Sequence, residues 1–410
     1  MAVNEREIIL DSLLEINEKG ALSHIVLGAV LEKYDYLPDK SKAFIKKVTE
    51  GTVEKQISID KAINRYSKLD AAKLKPVIRT LLRMSIYQIL YLDRVPDSAV
   101  CNEAVKLAKK RGFKTLSGYV NGVLRNVCKN KDTQDNASSD IPEWITDHLV
   151  QCYGQEKAGL MIGDIQKVHP VSVRVRKDGA DMSVLKPSGI LPFAYYLKEK
   201  TAPAHVRGYE EGAFVIQDIA GMHVALMGEI KPGQRVLDVC ASPGMKAIHA
   251  FDMGGCVTAC DISEKKVDMI RKSMERCIES TKDHYMETEV ADATVFLPQY
   301  AEAFDVVIAD VPCSGLGVMG RKSDIRHKTK KEDLDSLPEY QKKILDNVVN
   351  YVKKGGRLIY STCTMNPKEN EENVLYLTQK YDFALKTQRQ FLPGIDNTDG
   401  FFIAVCDRER

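Results

Sequence analysis

The 410-residue sequence predicts a multidomain fold: an all-α N-terminal domain, a small α+β subdomain and a C-terminal, doubly wound α/β domain. Three observations lead there. The chain is too long for one ordinary core. Its apolar pattern changes from helical spacing to strand–helix alternation along its length. A polar stretch near residue 135 separates the two regimes. Hydrophobic residues make up 44% and charged residues 28%, a globular profile with no run long enough to span a membrane. The N-terminus lacks a basic region followed by an apolar core, so no secretory signal is expected. The ten cysteines form no C-x-x-C pair, and Cys256 and Cys260 only bracket a strand. Reduced thiols, no metal and a cytoplasmic location are the expectation.

Residues 5 to about 130 read as helices. Ile8, Ile9, Leu13 and Ile16 recur at helical spacing, as do Val77, Leu81, Met84 and Gln88. Gly20, Pro38, Gly51, Pro76, Pro96 and Gly112 are expected to punctuate them, with Pro76 in the first turn of a helix running towards Leu92. Charge is uneven: residues 1–130 hold 23 Lys+Arg against 15 Asp+Glu, and the remaining 280 hold 36 against 42. A basic module on a mildly acidic body suits a polyanion-docking domain, although a solvated surface gives the same count. Lys106, Lys109, Lys110, Arg111, Lys114, Arg125 and Lys129 could line a phosphate groove or form a solvated helix face. The ordered motifs Ser41-Lys42-Ala43-Phe44, Glu50-Gly51-Thr52-Val53, Leu81 to Gln88, Arg94-Val95-Pro96, Asn102 to Val105 and Val120 to Arg125 resemble the NusB-like RNA-binding helical domain.

Residues 131–140 are expected to be an exposed linker. Residues 141–230 mix elements: Ile141 to Ile145 opens a helix, Val171 to Val175 alternates as a strand, and Ile219 to Met227 is helical. From 231 to 410 the strands Val236–Val239, Cys256–Cys260, Val306–Ala309, Arg357–Tyr360 and Phe401–Val405 alternate with helices such as Lys265–Cys277 and Pro338–Val352. That order predicts a Rossmann-like parallel sheet.

Ligands collect at the C-terminal strand ends of such sheets. There Asp238 to Lys246 joins the first strand to its helix through small residues, Cys240-Ala241-Ser242-Pro243-Gly244-Met245-Lys246. Asp261 ends the second strand, where it can accept from ribose hydroxyls. Asp292 ends the expected third strand, where it can accept from an adenine amino group. With Asp310 these carboxylates point to a nucleoside cofactor. No GxGxxG or P-loop sequence is present, which favours S-adenosyl-L-methionine over a dinucleotide or a nucleoside triphosphate. The bland alternative is a tight-turn glycine with helix-capping aspartates.

Two thiols follow apolar strands on the same edge: Cys313, in Asp310-Val311-Pro312-Cys313-Ser314-Gly315, and Cys363, in Ser361-Thr362-Cys363-Thr364. A lone cysteine is usually a small hydrophobe. Two beside a methyl donor suggest covalent catalysis on a poor nucleophile such as C5 of cytosine, which reacts after a thiolate adds to C6. Asp310 suits hydrogen bonding at N3. Spacing alone does not rank the cysteines.

These motifs resemble those of the RNA cytosine-5 methyltransferases. With Arg321 to Arg326, Pro393 to Phe402 and the NusB-like front, nearly the whole chain resembles the RsmB-type family acting on 16S ribosomal RNA. The resemblance implies Cys363 as nucleophile, Cys313 in product release and Asp310 at cytosine N3. It also implies residues 240–246, Asp261, Asp292 and Asp310 around S-adenosylmethionine. The sequence departs at Met245 (usually glycine), Ser242 (alanine) and Arg176 (often asparagine). The expected partner is 16S ribosomal RNA, with no membrane and a monomeric state. Transfer RNA or DNA as substrate, or a non-catalytic RNA-binding or antitermination factor, are the alternatives; the last is disfavoured because both cysteines and all three aspartates are present.

Overall fold

The computed structural model describes residues 4–131, 139–198, 201–278 and 284–409. The expected linker at 131–140 lies mostly outside them. The chain divides into two compact units, residues 1–146 with 322–328, and residues 147–321 with 329–410.

The first unit begins with helices α1 (Glu5–Glu18), α2 (Ser23–Lys33), α3 (Asp39–Glu54), α4 (Gln56–Tyr66), α5 (Pro76–Tyr91), α6 (Asp97–Lys110) and α7 (Ser117–Lys129). Asn4 starts α1 by accepting the Arg6 and Glu7 amides, satisfying donors that a helix N-terminus leaves open. Ile8, Ile9, Leu13 and Ile16 are buried against Leu81, Leu82 and Ile89 of α5 in one apolar core. Pro76 takes the first turn of α5. The buried Gln88 donates to the Met84 carbonyl at 2.8 Å and accepts from Arg6 at 2.9 Å.

Gly51 corrects an expectation: it lies inside α3 and does not end it. A Cβ there would fall 2.0 Å from Tyr87 Cζ, so the missing side chain makes room for a ring of α5. Sequence punctuation cannot separate a breaker glycine from a packing glycine.

Helices α8 (Glu143–Tyr153) and α9 (Gln155–Ile165) precede a small antiparallel sheet. Its strands are β1 (Ser172–Val175), β2 (Leu185–Pro187), β3 (Ala194–Leu197) and β4 (Phe214–Ile216), in the order β2-β3-β1-β4. Helix α10 (Ile219–Met227) leads to the large sheet. The alternation continues through β5 (Arg235–Asp238), α11 (Met245–Asp252), β6 (Cys256–Asp261), α12 (Glu264–Cys277), β7 (Met286–Val290) and β8 (Phe304–Asp310). Next comes α13 (Ile325–Lys328), within the seven residues that belong to the first unit. There Asp324 accepts the Ser23 amide at 3.0 Å and the His327 ring bonds the Val53 carbonyl at 2.9 Å. The chain ends with α14 (Asp333–Val348), β9 (Val352–Thr362), α15 (Glu371–Lys380), β10 (Phe383–Phe391) and β11 (Phe401–Arg408).

The large sheet has seven strands among the described residues, ordered β10-β11-β9-β8-β5-β6-β7. The strands β9-β8-β5-β6-β7 are parallel, and β11 runs antiparallel to both neighbours. Alternating residues feed two cores: Val236, Val257, Val306 and Ile359 on one face, Leu237, Val307, Leu358 and Tyr360 on the other. The helix expected at 338–352 instead starts at Asp333, ends at Val348 and contains Pro338. Proline removes the amide that would have bonded the Leu334 carbonyl, and Asn366 Nδ2 supplies that donor at 3.2 Å. Strand β10 was not expected, because six consecutive exposed residues give an edge strand no apolar run.

Candidate active site

The register of the parallel pair β8–β9 sets Asp310 opposite Ser361 at the carboxyl edge of the sheet. Cys363 follows β9 directly, and the Pro312 turn returns Cys313 to the same point. The two sulfurs stand 3.2 Å apart, and neither is in a disulfide. Asp310 is held on both oxygens: Ser361 Oγ donates to Oδ1 at 2.8 Å, and Lys246 Nζ lies 2.7 Å from Oδ2. Lys246 comes from the first turn of α11, and its ammonium also faces the Phe401 ring at 5.4 Å.

Cys313 is pushed well above the usual thiol range by its hydrogen bond with Cys363, then by burial and by the negative fields of Cys363 and Glu369. Burial acts to lower Lys246, but its ion pair with Asp310, helped by Asp238 and Cys363, outweighs that and raises it. Lys246 therefore stays cationic in this cluster.

The other expected residues lie along the same edge. Asp261 ends β6; its Oδ2 accepts the Ser242 amide at 3.0 Å, and Lys266 pairs with Oδ1 at 2.9 Å. Asp292 lies two residues beyond β7, half-buried, accepting from Thr294 N and Oγ1 at 2.9 and 2.7 Å. Cys240 is raised far up by burial, so its thiol stays neutral. Ala241 is buried, and its amide donates to the Cys260 carbonyl at 2.9 Å. The Pro243 carbonyl accepts from Ser273 Oγ at 2.8 Å. Gly244 has φ +106°, a conformation side chains disfavour, and a Cβ there would lie 3.3 Å from Ile270 Cγ2. Met245 packs partly buried against the core under the sheet.

This donor and acceptor set fits S-adenosylmethionine. Residues 240–244 form a turn of small residues ahead of α11, which Met245 and Lys246 open. Asp238 Oδ2 is fully buried without a donor, so burial pushes that carboxyl up to about 7. An amino group arriving at the loop would satisfy it. The carboxylates of Asp261 and Asp292 match hydroxyl and amino donors of a nucleoside.

Comparison with known proteins agrees. The family described as 16S rRNA methyltransferase RsmB/F matches residues 225–406, and the NusB family matches residues 3–129. A probable ribosomal RNA small subunit methyltransferase B of Bacillus subtilis is 32% identical, covering 97% of each chain. The chain belongs to the RsmB/F methyltransferase family. It is an enzyme whose methyl donor is S-adenosyl-L-methionine. The ribosomal RNA small subunit methyltransferase B of Escherichia coli O1:K1 is 27% identical, covering 98% of each chain. Among solved structures, PH0851 shares the fold at TM-score 0.82 and 21% identity, over 100% of both chains. NSun6 of Pyrococcus horikoshii, solved with SFG, matches at TM-score 0.56 and 18% identity, over 66% of this chain and 98% of its own.

Sequence reasoning on this RsmB/F member missed the Lys246 side chain, read only as part of the cofactor loop, and Ser361, read only as motif. No spacing rule joins residue 246 to residue 310. Arg176, the departure in the small sheet, binds Asp252 through Nε and Nη2 at 2.8 and 2.5 Å, and Arg174 reaches the same carboxylate at 2.6 Å. The pair ties β1 to the end of α11. In the basic set, Lys106 pairs with Glu103, Lys110 with Glu7, and Arg111 with Glu7 and Asp11, while Lys109, Lys114, Arg125 and Lys129 are exposed. Among the described residues no cluster of three or more His, Cys, Asp or Glu could hold a metal, and no helix is long and apolar enough to cross a membrane.

Proposed function

We propose that this RsmB/F enzyme methylates C5 of a cytosine in 16S ribosomal RNA through a covalent adduct between Cys363 and C6. The observation that carries the reading is the pair of sulfurs 3.2 Å apart beside the Asp310–Lys246 ion pair. Cys363 adds to C6, breaking the C5–C6 double bond and making C5 nucleophilic. Asp310, steadied by Ser361 and Lys246, acts at N3 in its protonated form, donating its proton there as the thiolate adds, so that the negative charge arriving on the ring is neutralised. Release requires loss of the C5 proton and cleavage of the C6–sulfur bond; the short sulfur separation supports giving this step to Cys313. Residues 240–246, Asp261 and Asp292 hold S-adenosylmethionine, which when bound supplies an electrophilic methyl group.

The basic helical domain, residues 1–130, docks the RNA, and residues 141–230 position it. The protein acts as a monomer in the cytoplasm, where ribosomal RNA is made and thiols stay reduced.

The test uses tritiated cofactor with 16S and transfer RNA. Label at C5 of ribosomal cytosine is expected, and its absence sinks the reading. Cys363→Ala should abolish turnover. Cys313→Ala should accumulate an RNA–protein adduct that survives denaturing gels; trapping by the opposite variant reverses the two roles.

A further inference from the structure

Behind the two thiols lies a carboxylate that the reaction as described does not use. Glu369 belongs to Asn366-Pro367-Lys368-Glu369-Asn370-Glu371, just before α15, where an acidic residue ordinarily complements a helix N-terminus from solvent. Here its side chain turns inward and is 0% exposed. Its partners are neutral donors. Oε2 accepts the Ser314 amide and Gln341 Nε2, each at 2.9 Å; Oε1 accepts Ser314 Oγ at 2.6 Å and Asn366 Nδ2 at 3.0 Å. A carboxylate taken out of water without a cation is tolerated only when its lone pairs are filled in this way.

The donors come from three places. Ser314 follows Cys313. Gln341 sits on α14 and also donates to the Pro312 carbonyl at 2.9 Å, one residue before that thiol. Ser314 Oγ further bonds Thr364 Oγ1 at 2.6 Å, and Thr364 follows Cys363. The same carboxylate therefore reaches both cysteine turns, directly on one side and through one hydroxyl on the other.

We propose that Glu369 is a positioning residue for the methyltransferase reaction: its buried carboxylate clamps the Cys313 and Cys363 turns together and sets which sulfur acts as the nucleophile. Its charge lies on the Cys313 side and helps to raise that thiol. The opposite charge, Lys246, lies close enough to Cys363 to be raised by it in turn. Glu369 bonds the residue after Cys313 directly and reaches the Cys363 turn only through the Ser314 hydroxyl, so its negative charge disfavours a thiolate at Cys313 more than at Cys363. The charge arrangement ranks two cysteines that sequence spacing leaves equal. The proposal rests on the reading of Cys363 and Cys313 given above.

The test reads activity and thiol chemistry separately. Glu369→Gln should lower kcat by about 30-fold or more, with cofactor KM within about threefold of wild type. In a Cys363→Ser background, iodoacetamide labelling of Cys313 followed by peptide mass spectrometry should shift to lower pH on adding Glu369→Gln. About tenfold faster labelling at pH 8 corresponds to one unit. Glu369→Asp, which retains the charge, should keep the original labelling profile even where kcat falls. Ser314→Ala covers the case in which Glu369→Gln does not fold: it cuts the hydroxyl link and should lower kcat at unchanged cofactor KM. An unchanged Cys313 profile in Glu369→Gln overturns the proposal. So does wild-type kcat in Ser314→Ala, or a loss of cofactor affinity that matches the loss of rate. Labelling needs no RNA, so a wild type inactive on ribosomal RNA would fail the functional reading and leave the clamp testable.

Discussion

Burial without a donor on Oδ2 pushes the Asp238 carboxyl up to about 7, whereas an unfolded aspartate titrates near ~3.9. Between those values the folded state holds a proton that the unfolded state has lost. The associated stability is fully present below about pH 4 and is lost as pH rises through about 7, on the order of 2–4 kcal/mol across the window. Asp238→Asn is expected to flatten this loss: calorimetric Tm should fall less between pH 5 and pH 8 than in wild type. The same variant should bind S-adenosylmethionine more weakly, because the orphan acceptor is gone. In the sequence Asp238 is only the end of a strand. Its missing partner is a property of the packed site and could not be read there, whereas Cys313, Cys363 and Asp310 stood out through the strands before them.

At the scale of elements, Gly51 gives a sharp test of what periodicity leaves out. Gly51→Ala would gain about 1 kcal/mol of helix propensity in α3. The new Cβ, however, would lie 2.0 Å from Tyr87 Cζ, and overpacking of that kind costs about 1–3 kcal/mol or more. Net destabilisation is therefore expected, seen as a lower Tm, and a smaller ring-free residue at 87 should relieve it in the double variant. If Gly51→Ala were stabilising, the interlock of α3 and α5 would be wrong. Helix α14 teaches the same lesson: Pro338 reads as a start signal, yet an amide from Asn366 lets the helix run through it. Apolar strands β5, β6, β8, β9 and β11 were legible as runs, and the exposed edge strand β10 was not.

At the scale of the whole molecule, charge is the property to test. Lys106, Lys110 and Arg111 spend their charge on Glu103, Glu7 and Asp11, so they add little to the net field available to RNA. Lys109, Lys114, Arg125 and Lys129 are exposed. Changing these four to glutamine should weaken RNA binding and reduce the salt slope by about 3–4, since each phosphate contact contributes roughly 0.7–0.9. Lys106→Gln with Lys110→Gln should change the slope by less than about 1. Binding isotherms at several salt concentrations decide it; equal effects in both sets would mean that the ion pairs open on docking.

Apolar periodicity by itself determined the class of each domain, and strand-end chemistry singled out a nucleoside-bearing cofactor and two thiols with Asp310 as the candidate site, because buried strands and reactive turns are local in sequence. The family resemblance implies the order of events at the cysteines. Only the tertiary structure decided which charges meet. It put Lys246 on Asp310, Glu369 behind Ser314, Tyr87 over Gly51 and residues 322–328 in the first unit. Those pairings join positions tens to hundreds of residues apart, and the free energy that selects them comes from burial and hydrogen bonding in the packed protein.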